Sequence, residues 1–162
     1  MLENQESTMN RVLARLASSK PGTWFFLNVA PPIDRVLLRW SKGRFSLGGS
    51  MPICLLETIG AKSGQPRSTP LMYLRDGERF VLIGSRGGNP RHPAWVHNLR
   101  KTPQATVLAK GHRHRVNTHE AEGEERSRLW AQAREVYFGY EVYQERAGTR
   151  RIPVVVLTPV GD

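Results

Sequence analysis

The chain has 162 residues but only one cysteine, Cys54, and 14 acidic residues against 24 Lys plus Arg. One cysteine excludes a disulfide within the chain and any cysteine-rich metal site. Cys54 lies in the apolar run Ile53-Cys54-Leu55-Leu56, where a thiol reads as a buried, inert core group rather than a nucleophile. Long hydrophobic runs are also missing. The longest charge-free stretch near the start, Pro21 to Ile33, is too short and too proline-rich for a span needing about 20 apolar residues. Glu3 and Glu6 stand where a secretory leader carries basic residues, so the expected compartment is the cytoplasm. The shortage of acids leaves no paired-carboxylate signature, and no nucleophile triad stands out. It also leaves a formal charge of +10, so the surface should attract anions: nucleic acid, anionic lipid or a phosphorylated coenzyme.

What is present is the texture of one folded domain rich in turns, with 15 Gly and 11 Pro. Met9, Val12, Leu13, Leu16 and Ala17 recur at helical spacing until Pro21-Gly22. A second helical stretch puts Ile33, Val36, Leu37 and Trp40 on one side. From there the pattern changes to short β-rich runs. Strands are expected near 53–59, 67–75, 79–84, 105–109, 112–120 and 152–158, with Asp76-Gly77 and Lys110-Gly111 at hairpin turns. A short helix opens at Pro93, and a longer one covers Gly123 to Tyr137 with Leu129, Ala133 and Val136 inward. This order predicts an α+β fold in which about six antiparallel strands make a small closed or split barrel. Residues 1–45 form an N-terminal helical segment packed on the barrel or on a membrane, and 46–162 the barrel domain.

Three constellations could carry chemistry. In Gly60-Ala61-Lys62-Ser63-Gly64-Gln65-Pro66-Arg67, backbone N–H groups and two cations can cradle an anion, although no Walker pattern completes and a solvated basic hairpin would look the same. Ser85-Arg86-Gly87-Gly88, between a strand and the helix at Pro93, is a second such cradle. If the strands are neighbours, Lys62, Arg67 and Arg86 converge, which costs energy unless an anion neutralises them. Trp95 and Asn98 share a face of the short helix. Tyr137, Tyr140 and Tyr143, spaced by three residues across Gly139, align three phenols if a helix persists or restarts there. Protonated phenols can donate a hydrogen bond or a proton to a carbonyl or nitro oxygen, while packed tyrosines alone would give the same pattern. His112, His114 and His119 are not expected to bind a metal, because no cysteine is near and arginines flank them.

The string Thr58-Ile59-Gly60-Ala61-Lys62-Ser63-Gly64-Gln65-Pro66-Arg67, then Pro70-Leu71, Gly84-Ser85-Arg86-Gly87-Gly88, His92-Pro93-Ala94-Trp95 and Asn98-Leu99 resembles the deazaflavin-dependent nitroreductase and quinone reductase family. The likeness continues through Thr102-Pro103, Glu124-Glu125-Arg126, the tyrosines and Arg151-Ile152-Pro153-Val154-Val155. It implies a split β-barrel that binds coenzyme F420 and passes hydride to a small hydrophobic acceptor, a quinone or a nitro compound. By motif, Lys62, Ser63, Gly64, Arg67 and Arg86 would grip the phosphate and acidic tail. Pro70, Ser85, Gly87, Gly88, Trp95 and Asn98 would border the coenzyme, and Tyr137, Tyr140 and Tyr143, with Ser85, would serve the reaction. Met72 departs from relatives with an aromatic residue after Pro-Leu, and Arg86 from those with lysine.

Other readings keep part of this picture. FMN is the alternative coenzyme, since similar barrels hold it. A non-enzymatic binder of lipid, coenzyme or nucleic acid would account for the charge, but the aromatic residues are not interleaved with the basic hairpins as stacking platforms, which weighs against nucleic acid. The basic flanks Arg11, Arg15, Lys20, Arg35 and Arg39 suggest peripheral contact with anionic lipid at the inner face of the cell membrane. Sequence leaves the oligomeric state open.

Overall fold

A computed structural model of the chain describes residue 21 and residues 30–49 and 51–161. Helix α1 spans Ala30–Trp40. The strands are β1 (Ile53–Ile59), β2 (Pro66–Asp76), β3 (Arg79–Ile83), β4 (Gln104–Ala109), β5 (His112–Glu120) and β6 (Val154–Pro159). A 3-10 turn, Arg86–Gly88, and helix α2, Ala94–Lys101, follow β3; helices α3, Gly123–Val136, and α4, Gly139–Ala147, follow β5. The helix expected over residues 9–17 lies outside the described residues.

All six strands pair antiparallel and close in the order β1-β2-β3-β6-β5-β4. The α+β barrel read from the sequence is therefore the fold observed, with strand ends displaced by at most two residues. Closure removes exposed edges. Its seam is short, for β1 meets β4 only through Leu55, Leu56 and Glu57 opposite Leu108, Val107 and Thr106. Both hairpin turns sit where glycine permits a left-handed backbone, Gly77 at φ 60° and Gly111 at φ 88°.

Alternation along the strands divides the apolar residues between two layers. Cys54, Leu56, Tyr73, Phe80, Leu82, Val107, Val116, Val155 and Leu157 fill the barrel and take Trp95, Val96 and Leu99 of α2 as a plug. Burial pushes the Cys54 thiol up to about 12, so it behaves as the inert core group expected. The opposite faces of β3 and β6, with Val81, Ile83, Val154 and Val156, pack on α3 and α4 through Leu129, Ala133, Tyr140 and Tyr143. Val136 does not join Leu129 and Ala133 inside: it is 53% exposed, because α3 ends there and the chain turns away.

The packing of α1 differs from a simple inward apolar face. Leu38 is buried on Leu55 and Leu108, and Ala30 and Asp34 share its side. Ile33, Val36 and Trp40 face outward, Trp40 being 79% exposed. Arg35 and Arg39 reach the barrel instead: Arg35 Nε donates to the Ser68 carbonyl (3.0 Å) and Arg39 Nη2 to the Ser68 hydroxyl (2.9 Å).

An ion-pair chain ties α3 to the β2–β3 hairpin. Asp76 accepts from Arg128 Nη1 (2.7 Å) and from Arg79, while Arg79 also donates to Glu125 (2.9 Å), which meets His119 Nε2 at 2.9 Å. Hydrogen bonds from Arg128 and Arg79 hold the Asp76 carboxyl at about 2. Its folded value lies below the unfolded carboxyl value of about 3.9. The stabilisation is therefore complete above about pH 4 and fades as the pH falls towards 2. Asp76→Asn is expected to cost about 1 kcal/mol at neutral pH, the partly exposed partners being screened, and almost nothing at pH 2. Urea unfolding at the two pH values measures the difference.

Candidate active site

One end of the barrel carries a cleft of about 330 Å³ with mostly apolar walls. Its floor is Ile53 of β1 and Thr69, Pro70, Leu71 and Met72 of β2. Ile83 and the Ser85-Arg86-Gly87 turn form one wall with Trp95, while Tyr137, Tyr140 and Tyr143 form another. Ala30, Pro31 and Asp34 of α1 and the loop at Gly48 and Met51 close the third side. The volume lies at the lower end of the range for small-molecule pockets.

The turn after β3 is shaped by left-handed backbone. Arg86, Gly87 and Gly88 follow one another at φ 48°, 62° and 81°, and for the non-glycine Arg86 this costs about 1–2 kcal/mol. Gly88 is required by a close approach as well, because a Cβ there would stand 2.5 Å from Arg146 Cβ and 2.7 Å from the Tyr143 carbonyl. The turn thus lies directly on α4 and presents Ser85, Arg86 and Gly87 to the cleft, with Gly88 buried behind them. Asp34 is the carboxylate among the lining residues, and its Oδ1 accepts the Leu47 N–H at 2.5 Å. Sequence reasoning passed over Asp34, since nothing local marks an acid on a helix that the loop at 47 folds back to meet.

The helix restarts at Gly139, so the tyrosines are a cluster across a helix break rather than one straight edge. Glycine leaves room for Tyr137 at that break: a Cβ on residue 139 would fall 2.3 Å from the Tyr137 ring and displace it. The Tyr137 and Tyr143 hydroxyls lie 3.1 Å apart and satisfy each other. Tyr140 packs edge-on against Tyr137 at 5.1 Å, and its hydroxyl has no hydrogen-bond partner among the described residues. It is nevertheless not a buried orphan, since no buried side-chain oxygen lacks a partner among the described residues. Burial, then the neighbouring Tyr143, raises the Tyr140 pKa; burial and the Tyr143 hydrogen bond raise that of Tyr137. Both phenols keep their protons through the neutral range.

The first cradle stands apart from this cleft. Lys62, Ser63 and Gly64 occupy the β1–β2 turn and Arg67 lies at the start of β2 beside it, where Arg67 Nη2 meets Ser63 Oγ at 3.4 Å and Gly64 takes φ 66°. Arg67 faces a second depression, about 570 Å³, beside Arg39, Arg113 and Arg115. The cleft therefore gathers Pro70, Ser85, Arg86, Gly87, Trp95 and the three tyrosines, but neither Lys62 nor Arg67 lines it. Asn98 does not line it either. Its buried amide donates to Thr58 Oγ1 (2.9 Å) and accepts the Ala61 N–H (2.8 Å), while Lys101 Nζ donates to the Ala61 carbonyl (2.6 Å). Helix α2 thus presents Trp95 to the cleft and braces the β1–β2 turn with Asn98. The spacing of 95 and 98 showed a shared face but not two tasks.

A closed antiparallel barrel of six strands, flanked by helices that wall an apolar cleft with a glycine turn and a tyrosine cluster, defines a split β-barrel. The haem storage protein HutZ of Vibrio cholerae shares that fold at 13% identity, with a TM-score of 0.52 over 80% of this chain and 92% of that one. Closer likeness is to the solved structure of an F420-H2 dependent reductase, FDR-A, at 37% identity and a TM-score of 0.61, covering 65% of this chain and 93% of the other. A Mycobacterium tuberculosis F420H(2)-dependent quinone reductase is 39% identical over 127 residues, 75% of this chain and 85% of its own. The family model for F420H(2)-dependent quinone reductase matches residues 39–159. The chain belongs to this family, and is accordingly an oxidoreductase using reduced F420. The FMN alternative finds no support in these likenesses.

Proposed function

We propose that the cleft seats the deazaflavin ring along Ser85, Gly87 and Trp95 and stacks a flat hydrophobic acceptor, a quinone, against the tyrosine cluster. The observation that carries this reading is the unpartnered Tyr140 hydroxyl in a mostly apolar cleft that also holds the Ser85–Gly87 turn. The residues suit the coenzyme. Apolar walls accept a ring system, Arg86 sets a cation at the rim, and the Asp34 carboxylate oxygen that accepts the Leu47 N–H is already occupied.

When bound, reduced F420 supplies the hydride. The chain supplies position. Pro70, Leu71 and Met72 give a flat floor, Trp95 a rigid edge, and the packed walls limit how ring and acceptor can lie. Tyr140 holds a proton within reach of an acceptor oxygen as negative charge develops there. The same phenol would serve a nitro oxygen, which makes nitroaromatic compounds secondary acceptors in this scheme. Lys62, Ser63 and Gly64, on the turn braced by Asn98, and Arg67 at the start of β2 would take the coenzyme's phosphate and acidic tail beyond the ring site.

The test is parallel equilibrium binding of oxidised F420 and FMN to the purified protein, followed by mixing the F420 complex, reduced, with a menaquinone analogue. Binding of F420 far tighter than FMN, then oxidation that depends on the quinone, is the expected result. Negligible F420 binding overturns the assignment of the cleft.

The outward stripe of Ile33, Val36 and Trp40, with Phe45 at 63% exposure, supports peripheral contact with a membrane in which a quinone dissolves. No helix among the described residues is long and apolar enough to cross one. Because Arg35 and Arg39 are turned to Ser68, the contact would rest on this apolar stripe more than on those two charges. Flotation with vesicles should retain the protein, and Trp40→Ser should reduce retention several-fold; passage of the native protein without retention would remove membrane contact from the scheme.

A further inference from the structure

Arg150 lies between α4 and β6 and is 9% exposed, yet among the described residues no carboxylate pairs with it. Its guanidinium is spent on backbone carbonyls of a single loop. Nε donates to Asn89 O (2.8 Å), Nη1 to Gly84 O (3.0 Å) and Nη2 to Ser85 O (2.7 Å). The imidazole of His92, with its Nδ1 3.4 Å from Nη1, stands beside them; burial lowers its pKa, which keeps it a neutral neighbour of the cation. Three donors of one rigid fork thus fall on three carbonyls that bracket the left-handed Arg86–Gly88 turn.

The loop's own hydrogen bonds do less. Gly84 N–H donates to the Pro153 carbonyl (2.9 Å) where the loop begins, but within it Ser85 N–H donates to Ile83 O, Gly88 N–H to Ser85 O and Asn89 N–H to Arg86 O, and these span at most three residues. A strained turn persists only where its surroundings over-determine it, and beside the packing of Gly88 on α4, Arg150 is the side chain that binds three of the loop's carbonyls. It is anchored in turn: Gln144 of α4 donates from Nε2 to the Arg150 carbonyl (2.9 Å) and accepts the Ile152 N–H at Oε1 (3.0 Å). Gln144 lies one residue past Tyr143 on the same helix. Arg150 and Gln144 therefore join the two walls of the cleft, the Ser85–Gly87 turn and the tyrosine helix, from behind.

We propose that Arg150 is a positioning residue for the coenzyme, fixing the left-handed Arg86–Gly88 turn and so holding Ser85, Arg86 and Gly87 at a set distance from Tyr140 and Tyr143. This rests on the reading that the cleft seats F420. Lysine would keep the buried charge but place one ammonium where a planar fork meets three carbonyls, so Arg150→Lys separates geometry from charge.

Two readouts on Arg150→Lys test the proposal: the F420 dissociation constant from equilibrium titration, and amide hydrogen exchange of the coenzyme-free protein, residue by residue. F420 should bind about tenfold more weakly, and the amides of Ser85, Gly88 and Asn89 should exchange at least tenfold faster while those of β3 and β6 keep their native rates. A dissociation constant within twofold of the native protein, native exchange in the loop, or exchange raised evenly through the barrel would each overturn it, the last by showing Arg150 to be a general stabiliser. Should Arg150→Lys not fold, Gln144→Leu carries the same readouts, with about threefold effects expected and native values again overturning the proposal. If the native protein itself fails to bind F420, the assignment of the cleft falls, and loop exchange alone still decides whether Arg150 sets the turn.

Discussion

Replacing Gly88 with alanine is expected to destabilise the protein by ~2–5 kcal/mol and to abolish coenzyme binding in whatever fraction remains folded. Two costs add. The backbone at φ 81° disfavours any L side chain by about 1–2 kcal/mol, and the new methyl would overlap the Tyr143 carbonyl and Arg146 Cβ. Neither is the yielding end of a flexible side chain, so α4 must move, at the ~1–3 kcal/mol typical of overpacking. Gly77→Ala provides the comparison. At φ 60° in the β2–β3 turn, with nothing within 4 Å of its added Cβ, it should pay only the backbone cost and leave the cleft intact. Urea unfolding and F420 titration of the two variants measure both effects, and equal losses would show that the contact of turn and helix does not matter.

Tyr140→Phe should lower kcat by about 10²-fold while leaving the dissociation constant of F420 near its native value, because the ring contacts survive and only the unpartnered hydroxyl is removed. Tyr137→Phe and Tyr143→Phe each break the 3.1 Å hydroxyl pair and should cost less, since that pair satisfies itself without the acceptor. Burial favours the neutral phenol and raises the Tyr140 pKa above its ordinary value of about 10. The phenol therefore keeps its proton below pH 10 and loses it only on the alkaline side, so its ionisation should add no falling limb to the kcat profile between pH 7 and 10. Turnover within threefold of native in Tyr140→Phe would assign protonation to water.

The strands were legible because each buries one face or both and is bounded by turn residues, as with Asp76-Gly77 and Lys110-Gly111. The tyrosine cluster could be read from its three-residue spacing, and Ser85-Arg86-Gly87 from its glycines. What sequence could not show is where a periodic stripe points. Ile33, Val36 and Trp40 have helical spacing, but the barrel receives Leu38 and Asp34 from α1 instead, because Leu55 and Leu108 offer an apolar seat and the Leu47 N–H offers a donor. Contacts between distant residues were equally hidden. Asn98 meets residues 58 and 61, and Arg150 meets 84, 85 and 89, with nothing in their local sequence to announce it. The separation of Lys62 and Arg67 from the cleft has the same origin: the direction in which a hairpin leans is settled by tertiary packing, not by its turn residues.

The strand order has a further meaning for how the molecule comes into being. Strand β6 pairs with β3 on one side and β5 on the other, so residues 154–159 complete the ring. While a ribosome is still making the preceding residues, β3 and β5 each present an unpaired margin. Assembly of the barrel must therefore wait for residues 154–159, which favours slow folding through long-range pairing and a need for protection in the interval.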